Sequence, residues 1–411
     1  ELYHARTAYE HLKGLEPYEN SHPPLGKIFI MLGIALFGMN PFGWRIIGTL
    51  FGIGMVPIIY AFGKRLFKKP EYALLCTVLF TFDFMHFTQT RIATIDVYAV
   101  FFIILMYYYM YQYYCMNFHV DGLKATLKPL GLAGLFFALG AATKWLCIYA
   151  GLGLAVLLLL SLLKRYGEYK KAATDEAYKE SVQHFMRNTV FTLLWCCVFF
   201  IAVPVVLYLA SYLPYYLSNM HYGLQEIWGF QKFMFTYHSG LQSTHPFQSS
   251  WWSWPFTLRP MWYYWRESAS SGYVSTLSAS GNPATWWLCT IGALTLAVTF
   301  LLGFRKHEPG MTVAFAGILS NYLPWVLVPR CTFIYHFFAT VPFIILCSVY
   351  VLSDLENQNK RAGWVKWAWM ALCVVLFILF YPGISGLEMQ RTYAEFLNKL
   401  PGGNMIYFLG S

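Results

Sequence analysis

The chain has 411 residues, of which 58% are hydrophobic, 20% aromatic and only 12% charged. Because a soluble domain has about 25% charged residues, this composition excludes an ordinary water-soluble protein and indicates one that lies in lipid. The net charge of +10 does not require nucleic acid as a partner, since excess Lys and Arg is typical of the cytoplasmic loops of membrane proteins. The nine cysteines show no metal-ligand spacing, and we interpret them as small apolar residues.

The hydropathy pattern predicts an all-α, polytopic membrane protein with ten spanning helices. A run of about 20 apolar residues is long enough to cross a bilayer as a helix. Such runs are predicted at 43–66, 71–88, 95–115, 127–143, 145–163, 189–212, 284–303, 311–328, 334–353 and 364–382. The shorter apolar segment 26–39 is predicted to be an interfacial helix.

The Lys and Arg residues predict which loops face the cytoplasm. One set of loops holds 17 of the 29 Lys and Arg residues, and the positive-inside rule assigns that set to the cytoplasmic side. The first outer loop is then 1–42 and the long outer loop is 213–283. Because residue 1 falls on the outer side, we expect a further span before Glu1, which makes eleven. We interpret 1–411 as one multi-pass domain of the plasma membrane.

Basic residues gather on the noncytoplasmic side, four at span ends and one at the start of the interfacial helix. Ionisable groups at membrane depth are costly and typical of a functional site, and several cations together favour an anion such as a lipid-linked phosphate. Each residue alone also has a structural interpretation, because a lysine can snorkel to the headgroups and an arginine can pair with a neighbouring aspartate. The five residues are Lys27, Arg45, Arg91, Lys144 and Arg330.

The run H-P-P-L-G-K at 22–27 predicts where the anion binds. Proline lacks an N–H that would go unpaired at a helix start, so we expect a helix to begin sharply at Leu25. The free N–H groups of its first turn and the ammonium group of Lys27 would then point to one place, as in a phosphate site. The predicted phosphate ligands are Lys27, Arg45, Arg330 and His22.

The outer N-terminal segment supplies candidate bases. A phosphate leaves a sugar without needing a strong acid, whereas a hydroxyl acceptor needs a base, so one carboxylate facing the sugar carbon is enough for inversion. The residue pattern leaves open which glutamate this is. The candidates are Glu1, Glu10, Glu16 and Glu19.

Six motifs follow one another along nearly the whole chain. They are H-P-P-L-G-K at 22–27, F-G-M-N-P-F-G-W-R at 37–45, R-I-A-T-I-D at 91–96, T-K-W at 143–145, W-S-W-P-F-T-L-R-P at 252–260 and R-C-T-F-I-Y-H-F at 330–337. In type and order they resemble the motifs of the protein O-mannosyltransferase family, glycosyltransferase family 39 of the GT-C architecture, and its bacterial branch above all.

The resemblance implies roles for individual residues. The family carries an Asp-Glu pair at the start of its first outer loop, and Glu1 looks like the second, catalytic member, with the Asp expected directly before it. An essential arginine is implied at Arg45, and an Arg/Asp pair at Arg91 and Asp96, with Lys144 as further support of the active site. Many relatives have Asp where this chain has Asn20, so an acidic role at that position is left open.

The activity implied by the resemblance is inverting transfer of mannose from a polyprenyl phosphate carrier to Ser/Thr hydroxyls of polypeptides, with the secretion machinery as one route of delivery. The phosphoester supplies the energy, so no cofactor is firmly implied, and a divalent metal at Glu1 is left open. Two alternatives stay open. One is transfer to a lipid or cell-wall polymer, and the other is a transporter or flippase, which would place its charges near the bilayer centre.

The long loop 213–283 is too short for the MIR module of eukaryotic relatives. Its run Q-E-I-W-G-F-Q-K-F-M-F predicts an amphipathic helix that lies on the membrane. The Trp-rich run that follows is either an aromatic belt at the interface or a roof over the cleft between Glu1 and the bilayer, under which an acceptor peptide passes. The roof residues are Trp251, Trp252 and Trp254, with Arg259.

Overall fold

The computed structural model describes residues 1–172, 182–240, 244–268 and 272–401. It is mainly helical, as predicted. In chain order the helices are Leu2–Lys13, Leu25–Phe37, Pro41–Phe67, Pro70–Thr81, Phe84–Thr90, Asp96–Cys115, Leu123–Ala141, Leu146–Ala172, Phe185–Cys197, Val203–Ala210, Leu213–Tyr216, Leu224–Gly240, Pro283–Leu301, Pro309–Tyr322, Val341–Gln358, Val365–Ser385 and Arg391–Lys399.

Seven helical stretches of the described residues are long and apolar enough to cross a membrane. They are Pro41–Phe67, Leu123–Ala141, Leu146–Ala172, Phe185–Tyr216, Pro283–Leu301, Pro309–Leu327 and Lys360–Ser385. Each coincides with a predicted span. The other three predicted spans are also helical, but none of them meets both the length and the hydropathy of a membrane-crossing helix. They are 71–88, 95–115 and 334–353, and the predicted number of ten spans is therefore not confirmed.

The predicted span 71–88 is broken near its middle, and Asp83 explains the break. The helix Pro70–Thr81 ends after 12 residues, and the side chain of Asp83 accepts a hydrogen bond from the His86 N–H, which starts a second, short helix. The other Asp83 oxygen accepts the Asn282 N–H at 2.9 Å. A buried carboxylate needs such donors, and here they tie the break to the start of Pro283–Leu301.

The interfacial segment forms the 13-residue helix Leu25–Phe37, which begins at the predicted residue. It packs closely against the next helix, Pro41–Phe67, through glycines. A Cβ added at Gly33 would lie 2.2 Å from the carbonyl oxygen of Gly43, and one added at Gly43 would lie 2.0 Å from that of Gly38. Only glycine permits this approach, which fixes the H-P-P-L-G-K helix beside the helix that carries Arg45.

The second half of the long outer loop contains a small antiparallel sheet that the sequence analysis did not predict. Strand Met261–Glu267 pairs with Tyr273–Ala279, and the second strand also pairs with the short strand Glu388–Gln390. The signal was present in the aromatic run M-W-Y-Y-W and in the β-branched residues of Y-V-S-T.

Candidate active site

The carboxylate of Glu1 is held by two of the motifs. Arg45 donates to it twice, from Nε to Oε1 and from Nη2 to Oε2, each at 2.6 Å, and the Ala93 N–H donates to Oε1 at 3.0 Å. Arg45 is fixed in turn because Asn40 caps its helix, accepting hydrogen bonds from the N–H groups of Phe42 and Gly43. The bidentate geometry is the strong form of an Arg–carboxylate pair.

These contacts determine the charge of the Glu1 carboxylate and leave it one free hydrogen-bond acceptor site. Burial by itself would raise the pKa of Glu1, but the hydrogen bonds from Arg45 and Ala93 outweigh burial and hold the pKa below its usual value. An ionised carboxylate has about four lone-pair sites, and three are used here. The remaining site, on Oε2, can accept one further hydrogen bond.

The predicted phosphate ligand Lys27 is fully buried and bound to Glu19. Its Nζ lies 2.6 Å from Glu19 Oε2 and 2.5 Å from the Glu19 carbonyl oxygen. Despite burial, which would raise it, the pKa of Glu19 is held far below its usual value by the neighbouring His4 ring and the charge of Lys27. Glu19 therefore supplies the acidic group that the sequence left open at Asn20, whose side chain accepts the Tyr215 hydroxyl at 2.6 Å.

The start of the helix Leu25–Phe37 is not an open anion site. The Leu25 N–H donates to the Ala142 carbonyl oxygen at 3.1 Å, and the Lys27 N–H donates to the Pro24 carbonyl oxygen at 2.9 Å. The expectation of free N–H groups directed at a phosphate is therefore wrong. The turn that precedes T-K-W occupies the position where an anion would have to bind.

The prediction of an ion pair between Arg91 and Asp96 is also wrong. Asp96 instead binds Lys144, with 2.6 Å between Oδ1 and Nζ, and both side chains are more than nine-tenths buried. The Lys144 ammonium group lies 5.7 Å from the ring centroid of Tyr335, and the guanidinium of Arg91 lies 5.1 Å from that of Phe87. The pair that supports the site thus joins R-I-A-T-I-D to T-K-W.

A cavity of about 310 Å³ brings several predicted site residues together, and we call it the inner cavity. It is lined, among others, by His22, Lys144, Trp145, His238 and Arg330. The His22 and His238 rings are 5.1 Å apart, and His238 Nε2 lies 2.8 Å from the Ser21 carbonyl oxygen. Burial lowers the pKa of both histidines, reinforced at His22 by the charge of Lys144 and at His238 by the charges of Arg330 and Lys144. The positive charge of the cavity therefore comes from Lys144 and Arg330.

The inner cavity lies beside the helix Leu2–Lys13, which begins directly after Glu1. His4, one turn after Glu1, has its ring 6.4 Å from the His22 ring, and its Nδ1 lies 3.7 Å from Glu19. Of the four predicted phosphate ligands, the structure therefore brings two, His22 and Arg330, into one cavity. The other two, Lys27 and Arg45, form ion pairs with Glu19 and Glu1.

Comparison with protein families decides what kind of protein carries this site. The sequence model described as "Dolichyl-phosphate-mannose-protein mannosyltransferase" matches residues 5–223, and the one described as "C-terminal four TMM region of protein-O-mannosyltransferase" matches residues 223–400. The chain belongs to the protein O-mannosyltransferase family. It is a membrane glycosyltransferase, as the six motifs predicted.

Sequence relatives agree with this assignment. The polyprenol-phosphate-mannose–protein mannosyltransferase of Mycobacterium tuberculosis is 24% identical, over 90% of this chain and 78% of its own length. The protein of the same name from Corynebacterium glutamicum is also 24% identical, over 92% of this chain and 81% of its own length.

Two solved structures share the fold of this mannosyltransferase. A chain of the Saccharomyces cerevisiae protein O-mannosyltransferase Pmt1-Pmt2 complex bound to the sugar donor matches with a TM-score of 0.81 at 13% identity, over 98% of this chain and 88% of its own. ArnT from Cupriavidus metallidurans, bound to undecaprenyl phosphate, matches with a TM-score of 0.55 at 12% identity, over 98% and 68%. These likenesses establish the GT-C fold.

The Trp-rich motif of the mannosyltransferase lines a second cavity, of about 780 Å³, between segments 244–259 and 325–332. We name it the serine–tryptophan cleft. Its lining includes Trp251, Trp252, Arg259 and Arg330. Trp254 does not line it and is fully buried, with its ring 5.8 Å from the ring of Trp325. The prediction that Trp254 forms part of a roof is therefore wrong, because this residue packs beneath the cleft.

Sequence reasoning missed the contacts of three residues in the candidate site. Glu19 was one of four equivalent glutamates, and no local pattern marked it as the partner of Lys27. His4 and His238 lie in segments that were read only for their carboxylates and aromatic residues. The described residues contain no group of three or more His, Cys, Asp or Glu that could hold a metal ion, so no metal is assigned at Glu1.

Proposed function

We propose that this protein transfers mannose from a polyprenyl phosphate carrier to Ser or Thr hydroxyls of polypeptides, with inversion at the sugar carbon. The observation that carries the proposal is the ionised Glu1 carboxylate, which keeps one free acceptor site. It lies one helical turn from His4, whose ring is 6.4 Å from the ring of His22 in the cationic inner cavity. The printed names of the sequence relatives support the donor and the protein acceptor.

In this proposal the inner cavity binds the carrier phosphate. Arg330 donates to the phosphate oxygens, and Lys144 adds positive charge while it remains bound to Asp96. The neutral imidazole of His22 donates a further hydrogen bond. The charge on the phosphate is then stabilised as it leaves, so the carbon–oxygen bond to the carrier breaks without an acid.

Glu1 acts on the acceptor in the same step. The free site on Oε2 accepts the proton of the Ser or Thr hydroxyl while the hydroxyl oxygen forms the new bond to the sugar carbon from the opposite side. Arg45 and the Ala93 N–H orient the carboxylate, and the buried pair of Lys27 and Glu19 holds the loop behind it. Arg45 and Lys27 are thus positioning residues rather than phosphate ligands.

The side of the membrane is part of the proposal. The charge pattern of the loops supports a plasma-membrane protein whose site lies on the noncytoplasmic face, where an acceptor arrives unfolded from the secretion machinery. An acceptor made of lipid or cell-wall polymer is the second candidate, because a shared GT-C fold does not by itself determine the acceptor. The family match over both parts of the chain favours a polypeptide.

The test is a transfer assay with the full protein in lipid nanodiscs, polyprenyl phosphate [¹⁴C]mannose and a Thr-containing peptide. Glu1→Gln should lower the rate of transfer by about 10²–10⁴-fold, because the base is lost, and should keep donor binding. The matched control is Glu267→Gln, which removes another Arg-bound carboxylate, 2.6 Å from exposed Arg391, and should keep full activity. Full transfer by Glu1→Gln, or transfer to lipid alone, would overturn the proposal.

A further inference from the structure

The serine–tryptophan cleft has walls that are fixed before any ligand binds. The Ser249 N–H donates to the Thr332 carbonyl oxygen at 2.8 Å, and the Thr332 hydroxyl donates back to the Ser249 carbonyl oxygen at 2.8 Å. The Tyr322 hydroxyl holds the Trp251 carbonyl oxygen at 2.9 Å. Because these hydrogen bonds already join the two walls, the cleft loses little conformational entropy when a ligand binds. This favours a ligand site over a simple surface depression.

The charge of the cleft is one-sided. Arg259 stands in one wall and Arg330 in the other, and no Asp or Glu of the described residues lines the space between them. Among the described residues, Arg330 donates only to the neighbouring Cys331 carbonyl oxygen, at 3.3 Å. Arg259 is exposed and forms no ion pair within the same part of the chain. Two guanidinium groups without carboxylates fit an anionic ligand group.

The other lining groups fit a polypeptide. Trp251 is half-buried and Trp252 is 55% exposed, so both present aromatic surface to the cleft. Hydroxyl side chains flank this pair, at Ser250 and Ser253. Aromatic faces and hydroxyls together bind extended backbone without reading its sequence, as at many protein interfaces.

The cleft is a neighbour of the inner cavity. Trp325, Val328, Pro329 and Arg330 line both spaces, so Arg330 stands on the boundary between them. A polypeptide in the cleft would therefore lie next to the cavity that binds the donor phosphate in the proposed function. Arg259 lines the cleft but not the inner cavity, so it remains available to the polypeptide alone.

We propose that the serine–tryptophan cleft binds the acceptor polypeptide and that Arg259 makes the enzyme prefer an acidic residue near the hydroxyl that receives mannose. This inference rests on the proposed function and adds a charge preference to it. The partner is a polypeptide segment with Asp or Glu within a few residues of the Ser or Thr.

The experiment compares three peptides that differ at the residue two positions from a single Thr, with Asp, Asn or Lys there. With the wild-type enzyme in nanodiscs, kcat/KM for the Asp peptide should exceed that for the Asn peptide by about three- to tenfold, and the Lys peptide should be the poorest. The preference should shrink in high salt, because the contact is partly exposed.

A charge reversal at Arg259 decides the role of this residue. Arg259→Glu should reverse the order, so that the Lys peptide becomes the best of the three. The matched control is Arg266→Glu, which reverses an exposed arginine that does not line the cleft and should keep the preference for Asp. Hydrolysis of the donor, measured without peptide, reports whether each variant is folded. If Arg259→Glu does not fold, Arg259→Gln replaces it in the test and should abolish the preference for Asp.

The outcomes separate this inference from the proposed function. Transfer to none of the three peptides would overturn the proposed function itself. Equal kcat/KM for the three peptides with the wild-type enzyme would leave that function standing and overturn the acidic preference. A preference for Asp that persists unchanged in Arg259→Glu and Arg259→Gln would overturn the assignment to Arg259.

Discussion

At the scale of single residues, the site is organised by three ion pairs. Glu1 binds Arg45, Glu19 binds Lys27 and Asp96 binds Lys144, each with 2.6 Å between the charged atoms. Glu1 and Arg45 are 44 residues apart in sequence and Asp96 and Lys144 are 48 apart, whereas Glu19 and Lys27 are only eight apart. Arg330, which lines both cavities, has no carboxylate partner among the described residues. This division gives the basic residues different roles, and mutations can separate these roles.

Arg330 should matter for donor affinity. A charge-assisted hydrogen bond contributes about 1.5–3 kcal/mol, so Arg330→Ala should weaken binding of polyprenyl phosphate about ten- to a hundredfold. Arg391→Ala, which removes an exposed arginine bound to Glu267, is the control and should bind as the wild type does. Equal affinity for all three proteins, measured by equilibrium binding in nanodiscs, would place the phosphate elsewhere.

Arg45 should act on the rate rather than on donor affinity. Arg45→Lys keeps the positive charge but loses the two-point contact that orients Glu1. We expect kcat to fall by at least about tenfold while the affinity for polyprenyl phosphate stays within about twofold. A loss of affinity with unchanged kcat would instead make Arg45 a phosphate ligand, as first expected from the sequence.

The buried pair of Asp96 and Lys144 gives a stability prediction. Lys144→Met leaves an uncompensated buried carboxylate and should destabilise the protein by about 3–5 kcal/mol. The double variant Asp96→Asn, Lys144→Met should recover much of that loss, because no buried charge remains. Thermal unfolding in detergent would measure both, and a double variant no more stable than the single one would show that the two side chains do not act as a pair.

At the scale of helices and loops, the sequence predicted where apolar helices lie better than it predicted which side chains meet. The start at Leu25 was correct because Pro23 and Pro24 dictate it locally. The partner of Asp96 was not, since Arg91 is close in sequence whereas Lys144 comes near only when the chain folds. Local periodicity carries no information about such contacts, so the motifs were found and their pairing was not.

The Trp-rich element combines two kinds of tryptophan that sequence alone could not separate. Trp254→Ala removes a fully buried ring and should cost about 3–5 kcal/mol of folding stability. Trp252 is 55% exposed at the cleft, so Trp252→Ala should change stability by less than about 0.5 kcal/mol.

The exposed tryptophan should instead affect the chemistry. If Trp252 shields the sugar from water, Trp252→Ala should raise donor hydrolysis relative to peptide transfer. Product analysis of the same reaction gives both rates. An unchanged ratio would leave Trp252 without a role in excluding water, and a large loss of stability in Trp252→Ala would contradict its exposed position.

At the scale of the whole molecule, the charged groups separate into two layers. Arg45 and Arg65 lie in one helix, Pro41–Phe67, and 20 residues of helix separate them by about 30 Å, the thickness of the hydrocarbon core. The layer at Arg45 contains Glu1, and the layer at Arg65 belongs to the predicted cytoplasmic loops. The site thus lies at one end of the helix bundle, where a lipid-borne donor and a water-borne acceptor can meet.

The layer that contains Glu1 also makes the folding stability depend on pH. His11 is buried against Tyr215, with 4.6 Å between the ring centroids, and burial, helped by the charge of Lys27, lowers its pKa to about 3 from an ordinary value of 6.5. Glu19 opposes this shift but does not reverse it. The unfolded chain therefore binds a proton below pH 6.5 that the folded protein does not, so this contribution to stability is present above pH 6.5 and is lost as the pH falls.

The carboxylates act in the same direction at lower pH. The pKa values of Glu1 and Glu19 lie below their ordinary value of 4.5, so their contribution to stability is present above that pH and is lost as acid protonates them. Stability should then fall in two stages, beginning below pH 6.5 with the buried histidines and continuing below pH 4.5 with the carboxylates.

His11→Phe should isolate the first stage. Phenylalanine keeps the ring against Tyr215 but cannot take up a proton, so the difference in stability between pH 7 and pH 5 should shrink by about 1.4 kcal/mol for each pH unit in which the unfolded histidine is fully protonated. Melting temperatures in detergent at about pH 7, 6 and 5 would measure the effect. The same decline in wild type and variant would mean that His11 contributes nothing to it, and the acid sensitivity would then lie with His4, His22 and His238, whose pKa values burial also lowers.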